Sequence, residues 1–341
     1  MKMSLKRLAA CFLAITILLA LGSGISQARE QIRIVGSSTA YPFASYVCEE
    51  FGVTTQYPTP VIESTGSGGG IKLFSEGVGA HTPDICNTSR EMKLSEFERC
   101  MENGVKKIHE VVFGYDGISL CENMANPGLN LTLKELTLAV AAKIPRKEKL
   151  IKNPYKYWNQ INSQLPHREI LIYGPPTTSG TRDAFEELVM VAVTKKMEGY
   201  DRAYTSIRQD GVYVPSGEND NLIVQRLNKN RDAMGIFGYS YLDNNRGKIQ
   251  PVNIDGVEPT TQSISSGKYP LARDLYFYVK LDHLKEVPGM EEYVDLFLSR
   301  IMIGDRGYLK RQGLIPMPKK MREKERKEWE NRELLKKSDL E

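Results

Sequence analysis

One arrangement of apolar and polar residues occurs three times along the chain: a short apolar run, a stretch rich in Gly, Ser and Thr, and then an amphipathic helical pattern. The first copy runs from Ile32–Val35 through Gly36–Ala40 into a helix that begins at Tyr41. Pro42 suits the first turn of that helix, and Gly52 is placed to end it. Its apolar residues recur on one helical face, at Phe43, Val47 and Phe51.

The second and third copies have the same order. Residues 60–70 predict a strand and a glycine-rich loop, and Ile71 the start of a helix. Residues 170–180 predict a strand and a polar loop, and Thr181 the start of a long helix. Strands that alternate with helices indicate an α/β fold, in which ligands lie beyond the carboxyl ends of the strands.

Each copy places a helix start beside glycines and hydroxyl groups. The N–H groups of the first helical turn lack partners inside the helix, and the helix dipole adds about half a positive charge there. Glycines let a ligand approach the backbone, and hydroxyl groups donate further hydrogen bonds. The three junctions together predict an anion-binding site that needs no net charge. The alternative is that these residues only cap helices and turn corners.

The N-terminus has the pattern of an export signal. Three cations precede an apolar run over residues 8–21, and the small residues Ser26 and Ala28 form a cleavage site. We therefore expect residues 1–28 to be a signal peptide that is removed on export to the periplasm. A membrane anchor is the alternative, but the run is shorter than the ~20 residues that a span needs. A lipoprotein signal at Cys11 is disfavoured, because this cysteine does not follow the apolar run.

Composition and charge are those of a folded protein of two domains. The chain has 341 residues, of which 41% are hydrophobic, and about 150 residues per domain gives two domains. Removing residues 1–28 takes away three of the 46 basic residues and none of the 42 acidic residues, which leaves a net charge of +1. No general positive field favours nucleic acid, so an anion must be held by local geometry.

Cysteines, histidines and catalytic motifs give no sign of a metal, a cofactor or an enzyme. We expect one or two disulfide bonds, with buried free thiols as the alternative, among Cys48, Cys86, Cys100 and Cys121. The chain has no CxxC pair and its four histidines are scattered, so zinc is not expected. It also lacks the motifs GxxxxGK(S/T), GxSxG and HExxH, and no histidine lies in the three loops to activate a serine.

Six segments resemble, in order and spacing, the substrate-binding protein of the high-affinity phosphate ABC transporter, the PstS family. The segments are Gly36–Pro42, Gly66–Lys72, Asp84–Arg90, Ser179–Arg182, Ala233–Tyr239 and Tyr269–Arg273. The resemblance covers about residues 31–317, which is nearly all of the chain after the signal peptide.

The resemblance implies an α/β fold of the type-2 periplasmic binding protein class. Each of two lobes would be a doubly wound sheet flanked by helices, and two crossing strands, near residues 114–117 and 251–253, would form a hinge that closes on ligand. The expected boundaries are residues 29–116 and 253–320 for lobe I, residues 117–252 for lobe II, and residues 321–341 for a charged C-terminal helix or tail. We expect that tail to be solvated, because it is charged throughout.

The resemblance also guides the choice of ligand contacts in the three loops. Hydroxyl and backbone N–H groups would bind the phosphate oxygens, with Ala40 and Gly180 donating through the backbone. The candidate contacts are Ser38, Thr39, Ala40, Tyr41, Ser67, Ser179, Gly180 and Thr181.

Two positions depart from the family pattern. In the best-known members an aspartate accepts a hydrogen bond from protonated phosphate and so rejects sulfate, and Arg90 occupies that position here. Those members also carry an arginine where this chain has Pro175. We therefore expect weaker rejection of sulfate, unless another carboxylate, such as Asp116 or Asp220, takes the role.

Arg90 and Arg182 are the candidate cations of the site. A guanidinium can hold two oxyanion oxygens in a fork, which a lysine cannot do. For Arg90 the alternative is a salt bridge with Glu91 or Glu96. For Arg182 the alternative is a charge that faces solvent.

Together these features predict a monomeric periplasmic binding protein that captures inorganic phosphate and delivers it to the permease subunits of an ABC importer. One alternative is a binding protein for another oxyanion, such as sulfate, molybdate or phosphonate. Two others are a secreted phosphatase-like hydrolase and an extracellular adhesin or sensor module built on the same fold.

Overall fold

The computed structural model describes residues 30–147, 149–177, 179–200, 202–216 and 220–340. The signal peptide predicted for residues 1–28 lies outside the described residues. Within the described ranges, no helix is both long enough and apolar enough to cross a membrane.

The strands of the described chain are short, except for β4 and β13. They are β1 (Arg33–Gly36), β2 (Val61–Ser64), β3 (Ile85–Thr88), β4 (Ile108–Asn123), β5 (Asn130–Leu131), β6 (Lys143–Arg146), β7 (Lys149–Lys152), β8 (Ile172–Gly174), β9 (Tyr213–Pro215), β10 (Met234–Gly238), β11 (Ile249–Pro251), β12 (Asn253–Ile254) and β13 (Ala272–Lys280).

The helices follow the strands, as the alternating pattern predicts. They are α1 (Tyr41–Thr54), α2 (Ser67–Phe74), α3 (Leu94–Glu102), α4 (Leu133–Val140), α5 (Gly180–Phe185), α6 (Asp220–Lys229), α7 (Tyr239–Asn245), α8 (Thr261–Ser265), α9 (Met290–Phe297), α10 (Arg300–Ile303), α11 (Tyr308–Arg311) and α12 (Lys319–Glu330). Helix α5 continues as a π-helix over Glu186–Val191 and a last helical turn over Ala192–Thr194.

One sheet of nine strands joins the two halves of the fold. Its order is β2–β1–β3–β13–β4–β10–β8–β9, with β11 also paired to β4. Strands β1, β2 and β3 are parallel on one side, and β10, β8 and β9 are parallel on the other. The antiparallel pair β13 and β4 lies between them. This is the mixed α/β architecture of two lobes that the sequence predicts.

Strand β4 is the long connection between the halves. Its residues 108–117 pair with β13, and residues 118–122 pair with β10. The crossing predicted at residues 114–117 therefore lies inside one continuous strand of 16 residues. A second connection runs from β11, which pairs with β4, to β12, which pairs with β5. The exact boundaries of the lobes in the chain stay a prediction.

Glycines of the second junction serve close packing. Helix α2 begins at Ser67, four residues before the predicted start at Ile71, so its glycines lie inside the helix. A Cβ on Gly70 would lie 2.5 Å from the Cα of Gly36. Gly36 itself has a φ of +136°, which other residues rarely adopt. Both glycines are needed for α2 to pack directly on β1.

Gly52 does not end helix α1, which continues to Thr54. The prediction was wrong because the glycine meets a different requirement. A Cβ at this position would lie 1.9 Å from Oγ1 of Thr59, so the glycine makes room for the chain that returns along the helix.

The four cysteines of the described chain are buried free thiols, and the expectation of disulfide bonds is wrong. The Sγ atom of Cys48 lies 3.6 Å from the Tyr293 hydroxyl, and burial raises the pKa of this thiol to about 12. All four pack among apolar core residues. They act as small core side chains, which is a common use of free cysteine.

The charged C-terminal segment packs on the sheet, so the expectation that it is solvated is wrong. Trp329 of α12 is 1% exposed, and its Nε1 donates to Oδ1 of Asp295 at 2.7 Å. Glu325, one helical turn earlier, is also buried, and its Oε2 accepts a hydrogen bond from the Val112 N–H of β4 at 2.9 Å. These two buried side chains fasten α12 to the fold.

The buried carboxyl of Glu325 should make stability depend on pH. Burial raises its pKa from 4.5 to about 7, so the folded protein keeps a proton in a range where the unfolded chain has lost it. The free energy of unfolding therefore falls as pH rises through that range and stays lower above it. Glu325→Gln, which cannot ionise, should raise the melting temperature by a few degrees at pH 8 and by much less at pH 5, measured by circular dichroism.

The matched control is Glu323→Gln, a change at an exposed glutamate of the same helix. It should leave the melting temperature nearly unchanged at both pH values. A melting temperature of Glu325→Gln that falls equally at pH 5 and pH 8 would contradict this account.

Candidate functional site

The loops of the first two predicted junctions meet helix α5, which follows the third junction, at one cavity of about 250 Å³. It lies beyond the carboxyl ends of β1 and β3, beside the first turn of α2 and one face of α5. The residues that line it are Ser37, Ser38, Gly66, Ser67, Gly68, Ser89, Arg90, Asp183, Glu187 and Arg273. Ser38, Ser67 and Arg90 of the predicted contacts are thus brought together. A larger cavity, near α12, is separate from these junctions.

Ser37 organises the first loop. Its Oγ accepts hydrogen bonds from the backbone N–H groups of Thr39 at 3.2 Å and Ala40 at 3.3 Å. The N–H of Tyr41 donates to the Ser37 carbonyl at 3.0 Å. These backbone groups are therefore bonded within the loop. Ser38 lines the cavity, whereas Thr39, Ala40 and Tyr41 do not.

Ser67 joins the second loop to the end of β3. The Ser89 N–H donates to Ser67 Oγ at 3.1 Å, and the two hydroxyl oxygens are 3.2 Å apart. Ser67 and Gly68 are also the first residues of α2, where backbone N–H groups have no partner inside the helix. The cavity thus has hydroxyl groups and a helix start on the same side.

The third junction brings α5 against the first loop. Ser179 caps the helix, because its Oγ accepts from the Thr181 N–H at 3.2 Å. The Gly180 carbonyl accepts from Thr39 Oγ1 at 3.0 Å. A Cβ on Gly180 would lie 2.8 Å from the Thr39 nitrogen, so this close approach requires glycine. Ser179, Gly180 and Thr181 position the helix and do not line the cavity.

Arg182 is not brought to the other predicted contacts. Its Nε donates to Oε1 of Glu186 at 2.7 Å, and its guanidinium carbon lies 4.8 Å from the ring centre of Tyr213. The side chain is buried by these partners, on the face of α5 that is directed away from the cavity.

Arg90 both lines the cavity and forms the salt bridge that the sequence left open. Its two Nη atoms each donate to a carboxylate oxygen of Glu96 at 2.8 Å, and Nη1 also donates to the Glu91 carbonyl at 2.9 Å. The hydrogen bond to Glu96 raises the pKa of Arg90 above its ordinary value. The fork of this guanidinium therefore faces a carboxylate of the protein.

Arg273 is a cavity residue that the sequence analysis did not select. It is 7% exposed, and its Nη2 donates to Thr39 Oγ1 at 2.6 Å. Its Nη1 lies 3.1 Å from Oε2 of Glu187, and its Nε lies 3.5 Å from Oδ2 of Asp116. The available signal was the charged pair Arg273–Asp274 just before the apolar run Leu275–Val279, since a buried charge is costly unless it has a role.

Asp183 and Glu187 are two further cavity residues that the sequence analysis missed. They are four residues apart and face the cavity from α5 and the π-helix that continues it. Oδ2 of Asp183 accepts from the Ser38 hydroxyl at 2.7 Å, and Glu187 pairs with Arg273. A sequence feature could have indicated this pair, because the two acidic residues are spaced by about one helical turn just after the third junction.

The cavity combines charges of both signs. Arg90 and Arg273 face Asp183 and Glu187, while hydroxyl groups fill the space between them. Such a set can donate hydrogen bonds to an anion and can also accept one from it. Within the described residues, no group of three or more His, Cys, Asp or Glu side chains could hold a metal ion.

Residues 22–300 match the family model of the PBP superfamily domain. The chain belongs to the PBP superfamily. The matched span includes every residue that lines the cavity, whereas helix α12 lies beyond it.

Named relatives and a solved structure agree with this assignment. The protein SphX of Synechococcus elongatus is 32% identical over 302 residues, which are 86% of this chain and 80% of that protein. The phosphate-binding protein PstS of Staphylococcus saprophyticus is 28% identical over 291 residues, with 84% of this chain and 80% of that protein covered. The crystal structure of a possible phosphate binding protein from Planctomyces limnophilus has a TM-score of 0.73 and 28% identity, and covers 89% of this chain and 98% of that one. The two-lobed fold and the resemblance to the PstS family are confirmed.

Proposed function

We propose that the protein captures inorganic phosphate in this cavity and delivers it, in the periplasm, to the permease subunits of an ABC importer. The observation that carries the proposal is the convergence of Ser38, Ser67, Arg90 and Arg273 on one small cavity. Relatives named for phosphate binding support phosphate as the anion.

The polar lining of the cavity favours an oxyanion. The cavity of about 250 Å³ adjoins a second one of about 420 Å³, and the two share Ser89, Arg90, Glu187 and Arg273. The Ser38 hydroxyl donates to Asp183, and one of the Ser67 and Ser89 hydroxyls donates to the other. These hydroxyls can donate to oxygens of a tetrahedral anion when they rotate toward it.

Arg273 is the principal cation of the proposed site. A guanidinium carries five N–H donors, and the contacts with Thr39 and Glu187 leave donors for a ligand. Arg90 also lines the cavity and contributes charge, although both of its Nη atoms donate to Glu96. The remaining predicted contacts, including Arg182, are assigned to the support of the loops and of helix α5.

The route of the protein supports transport as the purpose of binding. The signal peptide predicted for residues 1–28 would export the chain, and the two-lobed architecture suits a cleft that closes on ligand and opens at the importer. We propose that the exported protein works as a monomer.

Replacement of Arg273 tests the assignment of the cation. Arg273→Gln removes a charge-assisted donor from the cavity, so the dissociation constant for phosphate should rise about tenfold to a hundredfold in titration calorimetry. Arg182→Gln should change it less than threefold, because that guanidinium is directed at Glu186 and Tyr213. The reverse order of the two effects, with both variants folded by circular dichroism, would sink this assignment.

In the family pattern an aspartate accepts a hydrogen bond from protonated phosphate, and Arg90 occupies its position in this chain. We assign this acceptor role to the carboxylate of Asp183. Phosphate keeps a proton at neutral pH and can donate it to a carboxylate, whereas sulfate has none and would be repelled. Of the carboxylates named from the sequence, Asp116 pairs with Arg273 and does not line the cavity. The side chain of Asp220 lies outside the described residues.

Replacement of Asp183 should therefore change selectivity more than affinity. The amide of Asp183→Asn can donate to a sulfate oxygen, so sulfate should bind at least about tenfold more tightly than it binds the original protein, a gain of ~1.4 kcal/mol. Phosphate binding should weaken by a smaller factor. Both ligands would be titrated by calorimetry at pH 8, where phosphate still has a proton.

The control is Glu186→Gln, which changes a carboxylate of the same helix that pairs with Arg182 outside the cavity. It should preserve the ratio of the two affinities. Equal affinities of the original protein for sulfate and phosphate would contradict both the role of Asp183 and selectivity for phosphate. The protein would then be better described as a binding protein for several oxyanions.

A further inference from the structure

A second concave surface lies far from the phosphate cavity in the chain, between α12 and the segment from α9 to α11. Its main cavity has a volume of about 780 Å³. One wall is formed by residues 300–308 and the other by residues 319–326 of α12. We call this surface the C-terminal groove. Helix α12 lies beyond the span that matches the PBP superfamily domain.

The walls of the groove are held together by direct contacts. Arg322 of α12 donates to Oδ1 of Asp305 at 2.7 Å, and Arg326 donates to the Leu298 carbonyl at 2.6 Å. Trp329, buried at the end of the same helix, bonds to Asp295 of α9. The groove is therefore formed in the folded protein and does not need a ligand to assemble it.

The groove is basic, although the exported chain is almost neutral. Five cations and two carboxylates line its main cavity: Arg300, Arg306, Lys319, Arg322, Arg326, Asp305 and Glu323. Over residues 300–332 the sequence has eleven basic and five acidic residues. Positive charge is thus concentrated at one place, which favours an acidic partner.

Two of these cations are available for a partner. Arg300 and Arg306 are exposed, and within residues 30–340, as far as the structure describes them, neither forms a salt bridge. The other cations are engaged to different degrees, since Lys319 pairs with Glu323 at 3.5 Å and Arg322 with Asp305.

The groove also offers apolar contact. Its floor includes the buried side chains of Leu298 and Ile303, and Ile301 stands at its edge with 60% exposure. A second cavity of about 620 Å³ shares Leu298, Arg300, Ile301 and Arg326 with the first, and Glu291, Asp295, Glu330 and Arg332 also line it. The excess of positive charge is therefore confined to the main cavity. The concave surface is therefore elongated, which suits an extended segment better than a compact small molecule.

We propose that the C-terminal groove binds an acidic segment of a partner protein, with carboxylates at Arg300 and Arg306 and an apolar side chain against Ile301. Cations line both walls of the groove. A partner that contacts both walls must therefore enter the groove and cannot only cover its rim.

The test uses the full exported chain and a short fluorescent peptide of alternating glutamate and leucine. Fluorescence anisotropy should show saturable binding that is tighter than for a glutamate–serine peptide and for a lysine–leucine peptide of equal length. Arg300→Glu with Arg306→Glu should weaken it at least tenfold, because two attractive contacts become repulsive. Ile301→Ser should weaken it severalfold.

The matched control is Lys149→Glu with Lys152→Glu, which makes the same change in net charge at two exposed lysines of the β6–β7 hairpin. This variant should bind the peptide like the original protein. Equal losses in both double variants would mean a general charge effect and would overturn the proposal. The dissociation constant for phosphate should be the same in all variants and in the original protein. This result would show that the groove is a different site from the phosphate cavity.

Two further results would also overturn the proposal. In the first, vesicles that contain phosphatidylglycerol bind in a way that depends on Arg300 and Arg306, whereas the peptide does not bind. The partner would then be a membrane. Sedimentation could instead show a dimer that the Arg300→Glu, Arg306→Glu variant abolishes, which would make the partner a second copy of this chain.

Discussion

The burial of the Arg273 guanidinium is the constraint on which the cavity depends. A charge that is 7% exposed costs free energy unless ion pairs and hydrogen bonds surround it. Its partners come from three distant parts of the chain: Asp116 on β4, Thr39 in the first loop and Glu187 beyond α5. One side chain thereby links the first loop, strand β4 and the π-helix after α5 at the anion site. The glycine at position 180 makes this possible, because it lets α5 approach the first loop.

The sequence predicts the fold well because the fold rests on periodicity and turn chemistry. Apolar runs and Gly–Ser–Thr loops recur in the order that a two-lobed α/β protein needs. Of the three helix starts expected at the anion site, only that of α2 lines the cavity. The expectations that failed concern packing, including that of the C-terminal helix α12 on the sheet. Gly52 and the second-loop glycines serve close packing, and the cysteines are core residues. Packing of this kind depends on partners that are distant in the chain, such as Thr59 and Gly36.

The site could be predicted only in part, because the direction of long side chains is decided by their neighbours. The serines follow from the loops, and Ser38 and Ser67 do line the cavity. Arg182 and Asp183 are adjacent in sequence, yet Arg182 contacts Tyr213 whereas Asp183 lines the cavity. Arg273 was visible within a segment of the family resemblance, but nothing local indicated that its strand carries it to the first loop.

A crystal structure of the exported protein grown with phosphate tests the central claim most directly. The account predicts one tetrahedral anion within hydrogen-bond distance of Ser38, Ser67 and Arg273, with Asp183 close enough to accept its proton. An anion bound elsewhere, or an empty cavity at saturating phosphate, would contradict it.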